Sequence, residues 1–218
     1  IHSDAVQAFG QLPVDFAASG LEALTVTGHK IGGPLGIGVL VASRSLELTP
    51  VLHGGGQERD VRSGTLDTPA IAGLAAAARV AAAQQPQRAA TLAALRDDLV
   101  QRLRAEVPDA VLEGDPDLSP GHRLPGNAHF SFPGCEGDSL LLLLDARGIA
   151  CSTGSACSAG VPQPSHVLLA MGVPEELSRG SLRFTFGHTS TAADVDAVIE
   201  AIGPVVERAR RAGQVAVG

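Results

Sequence analysis

The chain has 218 residues, 44% hydrophobic and 18% charged, with a net charge of −7, so it holds enough apolar material for one large domain or two small ones. The acidic balance argues against a nucleic-acid binder, which carries a basic patch, and against an anionic-membrane binder. No apolar run approaches the ~20 residues of a membrane-spanning helix, and three cysteines point to a reducing, cytoplasmic compartment rather than a disulfide framework.

Without an initial Met, the chain opens inside structured sequence and reads as part of a longer protein. Residues 1–4, 23–27 and 36–42 read as strands, punctuated by the Gly/Pro clusters at 32–34 and 54–56. They predict part of an α/β sheet with a site along its strand ends. Residues 68–85 and 87–106 read as two Ala/Leu-rich helices divided by Pro86. Strands at 110–113 and 128–132 follow, then a helix at 138–147 closed by Gly148, and a strand at 181–186. Thr191 opens a final helix to about residue 211, with Asp194 and Asp196 in its first turns. The tail, 213–218, is expected to be disordered. The second half is therefore an α+β domain.

Five stretches carry chemistry. Asp4 ends a strand and Gln7 follows three residues later. A carboxylate there can pair with a cationic ring nitrogen and an amide can bond a ring hydroxyl; equally, Asp4 can cap a helix at Ala5-Val6-Gln7. Lys30 is the one lysine in the sequence, in Thr27-Gly28-His29-Lys30 after a strand. Buried in a cleft, its amine would be nucleophilic, which an arginine cannot be. Thr27 and His29 could contact a phosphate; the alternative is an ordinary surface turn. The Gly-rich run from His53 to Thr65 can present backbone amides, Arg62 and Thr65 to an anion, and it is not a Walker loop. Cys157 lies among small residues in Thr153-Gly154-Ser155-Ala156-Cys157-Ser158, where a nucleophile is accessible, whereas Cys135 and Cys151 read as structural. A zinc site from Cys151, Cys157 and His166 lacks a fourth ligand, so no metal is expected. Arg183 interrupts the apolar strand Leu182-Arg183-Phe184 and needs a partner: a substrate carboxylate, or a protein Asp or Glu.

Taken in order, His2-Ser3-Asp4-Ala5-Val6-Gln7, Thr27-Gly28-His29-Lys30, the glycine-rich stretch ending at Thr65 and the segment around Cys157 resemble the cysteine desulfurases of the class V aminotransferase family, fold-type I pyridoxal-phosphate enzymes. The segment reaching Pro164-Ser165-His166 is similar to the housekeeping iron–sulfur and tRNA-thiolation (IscS/NifS-like) branch. The resemblance implies an α/β fold: residues 1–84 as the C-terminal part of an aspartate-aminotransferase-like large domain, and 85–218 as a small α+β domain carrying the cysteine loop. It implies pyridoxal 5′-phosphate held covalently by Lys30, with Asp4 on the ring nitrogen, Gln7 on the ring hydroxyl and Thr27 and His29 on the phosphate. Thr65 would reach the phosphate of the other subunit of a homodimer, and Arg183 the carboxylate of L-cysteine. Lys30, His29 and Cys157 form the implied catalytic set, with sulfur passing through Cys157 to an iron–sulfur scaffold or tRNA-thiolation protein. The alternatives are a selenocysteine lyase or related lyase, and a non-catalytic partner-docking half-chain. The family's N-terminal half, with further phosphate contacts and a stacking histidine, is not in this segment, and these residues alone are not expected to bind cofactor tightly.

Overall fold

The computed structural model describes residues 1–153 and 164–215. It divides into two compact units, Ile1–Arg88 and Ala89–Gly218.

The first unit holds a three-stranded sheet in the order β1-β2-β3: β1 (His2–Asp4), β2 (Ala23–Thr27) and β3 (Gly38–Ala42). β1 and β2 run parallel and β2 and β3 antiparallel, with Asp4 opposite Thr25 and Thr27 opposite Gly38. The parallel pair brings the carboxyl ends of β1 and β2 to the same edge. Leu24 and Val26 pack with Ala5 in one small core. Ile31, Leu74 and Ala81 form a second, which ties the loop after β2 to the start of α1 (Thr68–Glu106).

The expected break at Pro86 is corrected: α1 runs through it as one helix of 39 residues. A proline removes a single N–H and bends a helix, and the Ala, Leu, Gln and Arg residues around it favour helix strongly enough to continue.

The second unit is built on an antiparallel sheet, β4-β5-β6: β4 (Val111–Leu112), β5 (Asn127–Ser131) and β6 (Ser181–Thr185). Alternation puts Leu112, Phe130, Leu182, Ala128 and Phe184 on one face. These five join Leu99 and Leu103 of α1, Leu140 and Leu144 of α2 (Gly137–Asp145), and Val195, Ile202 and Val205 of α5 (Ala192–Val215) in the main core. The opposite face carries the row Val111, Ser131, Ser181 and then Glu113, His129, Arg183.

Gly148 adopts the left-handed φ of +75° just beyond α2, and Ile149 N–H closes back onto Leu144 O at 3.1 Å, as its capping role requires. At α5, Asp194 accepts from both Thr191 N and Thr191 Oγ1, at 2.7 and 3.1 Å. The expected disorder from residue 213 is corrected as far as 215, because α5 continues to Val215. Two short helices escaped the sequence reading: α3 (His166–Ala170), capped by Ser165 Oγ, and α4 (Glu175–Arg179).

Candidate active site

Asp4 closes β1 and Thr27 closes β2, so both stand at the edge where open α/β sheets bind ligands. Asp4 Oδ1 accepts from Val6 N at 2.8 Å, the local capping that its position allows, in a turn rather than a helix. Its Oδ2 makes no hydrogen bond among the described residues. Gln7 lies exposed in that same turn.

Thr27 Oγ1 donates to Ile37 O at 3.2 Å and lies 3.0 Å from His29 Nδ1. A hydroxyl has one proton, so with that proton on Ile37 the oxygen accepts from His29 Nδ1–H, which fixes the tautomer in this arrangement. An anion taking a hydrogen bond from Thr27 would take the proton now given to Ile37.

Gly28 is required by space. A Cβ there would meet Pro34 O at 2.7 Å and Ile37 Cγ2 at 2.9 Å. Gly28 N–H bonds Ile37 O at 2.9 Å and Gly28 O accepts from both Ile31 and Gly33, so the loop is stitched shut around the buried Ile31. Lys30 rides on that fixed loop. The expectation of a buried lysine is corrected: in this unit Lys30 is exposed, because its neighbour Ile31 takes the inward position. Among the described residues no carboxylate lies within ion-pair distance of it.

Thr65 is exposed at the end of a loop that folds on itself. Gly56 N–H donates to Ser63 Oγ at 3.3 Å and Gly64 N–H to Gln57 Oε1 at 2.9 Å. Glu58, Arg59 and Asp60 all adopt left-handed φ, from 50° to 62°, a costly conformation for three successive side-chain-bearing residues.

In the second unit, Arg183 is half-buried on β6, and no carboxylate within the described residues reaches its guanidinium. The reading that paired it with a protein Asp or Glu is therefore not what this unit adopts. Its backbone is fixed on one side by Ser152, with Arg183 N–H to Ser152 O at 2.6 Å, and on the other by its register partner His129. Cys157 lies outside the described residues. The other two cysteines carry raised thiols: burial, with Asp145 adding to it, pushes Cys151 up to about 11, and burial raises Cys135. Neither supplies thiolate near neutrality.

His129 was not singled out from sequence. Burial, then the Arg183 and Arg123 guanidiniums, push it from 6.5 down to about 4, and its Nε2 is buried without a hydrogen-bond partner among the described residues. The unfolded chain takes up this proton near 6.5 and the folded chain only near 4, so between those values the unfolded form binds more protons. Stability is complete above pH 6.5 and falls as pH drops toward 4, by at most about 3 kcal/mol. Urea denaturation of the intact protein should show its midpoint falling across that window, and His129→Gln should remove this part of the fall.

Comparison with known proteins gives the family. The aminotransferase class-V family matches residues 1–198, and the chain belongs to it. It is 57% identical over 218 residues to the IscS-like cysteine desulfurase of Mycobacterium tuberculosis, covering all of this chain and 55% of that protein. To the cysteine desulfurase IscS of Methanosarcina thermophila it is 43% identical, over 96% of this chain and 50% of that one. Among solved structures, the NifS-like protein of Rickettsia africae superposes with a TM-score of 0.83 at 33% identity, covering 94% of this chain and 53% of that one. The chain thus spans about half the length of the relatives it matches, and its α/β fold is the corresponding part of theirs.

Proposed function

We propose that the intact protein is a pyridoxal 5′-phosphate-dependent cysteine desulfurase that converts L-cysteine to L-alanine and leaves the sulfur as a persulfide on Cys157. The observation that carries this reading is the donor set at the carboxyl ends of β1 and β2: a carboxylate with one oxygen uncommitted among the described residues, a Thr–His pair and a lysine amine with no ion-pair partner among them. These groups fit a phosphorylated pyridine aldehyde, which needs an anionic partner for its ring nitrogen, donors for its phosphate and an amine for its aldehyde. When bound, the cofactor supplies an electron sink for charge developing on the substrate carbon.

The chain's own residues do the rest. Lys30 would hold the cofactor through its aldehyde, Asp4 would pair with the ring nitrogen, and Gln7 would bond the ring hydroxyl. Thr27 and His29 would hold the phosphate, and His29, next in sequence to Lys30, would move protons near its amine. Thr65 reaches the phosphate of a second copy, which makes the enzyme a homodimer. Arg183 grips the substrate carboxylate with two parallel hydrogen bonds. The Cys157 thiolate attacks the substrate sulfur: a sulfur–sulfur bond forms, the carbon–sulfur bond breaks, and its electron pair is protonated on carbon. L-Cysteine and one thiol thus become L-alanine and one persulfide. The persulfide passes to an iron–sulfur scaffold or a tRNA-thiolation protein, in the cytoplasm; no helix among the described residues is long and apolar enough to cross a membrane. In this reading the first unit is the C-terminal part of the cofactor domain, and the second is the small domain bearing Cys157.

The test is product analysis. Intact protein given L-cysteine and a thiol reductant should release alanine and sulfide in equal amounts. A preparation that stays colourless with added pyridoxal phosphate and makes no alanine would sink the proposal.

A further inference from the structure

One row of the second sheet holds, beside Arg183, residues that have no part in the reading above. Across it, in register, stand Glu113 after β4, His129 on β5, Arg183 on β6 and Ser152 beyond. Register partners on neighbouring strands face each other at ~5 Å between Cβ atoms. The ring of His129 therefore occupies the position beside the Arg183 side chain. Glu113, whose residue is only 7% exposed and whose Oε1 is buried without a partner among the described residues, lies one strand further off. At ~4.8 Å between strands, the β5 strand holds that carboxylate two strand spacings from Arg183. Among the described residues, the charged groups beside His129 are Glu113, Arg183, and Arg123, whose guanidinium reaches Glu113 O at 2.6 Å.

We propose that His129 is a positioning residue for Arg183: by filling the cross-strand place with a side chain that carries no charge, it keeps the guanidinium free of an internal carboxylate and so open to the carboxylate of the substrate. An acid at this position would capture Arg183 within the sheet. A cation there would repel it. A small apolar residue would leave open the space through which Glu113 could approach. The proposal deepens the reading of Arg183 as the substrate's carboxylate partner and rests on it.

The experiment is steady-state alanine formation by the intact enzyme against L-cysteine concentration, with Arg183→Lys, His129→Glu and His129→Gln. We expect Arg183→Lys and His129→Glu each to raise KM by about tenfold or more, the scale of a lost or diverted charge-assisted contact. In His129→Glu, kcat should hold within about threefold, since the chemistry does not touch residue 129. His129→Gln, neutral and polar, should keep both constants within about threefold. An unchanged KM in Arg183→Lys would overturn the role of Arg183 and this proposal with it. An unchanged KM in folded His129→Glu, beside a raised one in Arg183→Lys, would overturn the His129 proposal alone. Should His129→Glu fail to fold, His129→Gln still decides: a large loss of kcat there means the imidazole acts chemically and does not merely keep the place uncharged.

Discussion

Lys30→Arg should leave the intact enzyme unable to retain pyridoxal phosphate through borohydride reduction, and should lower alanine formation by at least about a thousandfold, the scale of losing a covalent catalytic group. The substitution keeps the charge and nearly the length, so it isolates one property: a guanidinium remains protonated and does not add to an aldehyde. The loop should not notice. Gly28 and Ile31 carry its internal hydrogen bonds and its buried anchor, and Lys30 itself is exposed. The measurement is mass spectrometry after reduction. In the parent protein one pyridoxyl phosphate should map to the peptide holding Lys30, and in Lys30→Arg none should appear there, with an unchanged denaturation midpoint. Retention of a reducible adduct together with normal turnover by the arginine variant would remove Lys30 from the mechanism.

The exposure of Lys30 bears on how much of this protein could be read from its residues. The strand before it was legible because Ala23-Leu24-Thr25-Val26-Thr27 is a β-favouring run between punctuating residues, whereas the edge it shares with β1 comes from their parallel pairing, a tertiary contact. Lys30 stood out because arginine replaces lysine everywhere else in the chain. Its burial was not legible. Burial depends on which neighbour turns inward, and Ile31 does so. Pro86 misled for a related reason: proline is a local signal, and the helix is carried through it by residues on both sides. The helices α3 and α4, five residues each, are too short to show a period. Arg183 was visible as a charge in an apolar strand, but His129 was not, because nothing local distinguishes it. Its meaning comes from the pairing of residues 127–131 with 181–185, which sets His129 opposite Arg183 across a long stretch of chain.

Cys157→Ala should abolish sulfide and persulfide formation while leaving the pyridoxyl adduct on Lys30 intact, because neither of the two cysteines that remain can replace it. Cys151 is the nearer of the two, six residues away in sequence. Its half-buried thiol is held up to about 11 by burial and by the charge of Asp145. At pH 7.5, three to four units lower, only about one thiol in several thousand would be ionised, and the nucleophile in sulfur chemistry is the thiolate. Cys135 is less available still, buried in the main core with its thiol directed at Val206 O, 3.8 Å away. Raising the pH should therefore not restore activity to Cys157→Ala within the range the fold survives. Cys151→Ser, which changes a residue with no part in the proposed chemistry, should turn over L-cysteine at close to the parent rate. The two variants form a pair with opposite expected results, read by alanine release and by persulfide labelling. If Cys151→Ser were inactive and Cys157→Ala active, the thiol would have been assigned to the wrong residue, and the low-dielectric setting of Cys151 would need a counter-charge, absent from the described residues, to make it reactive.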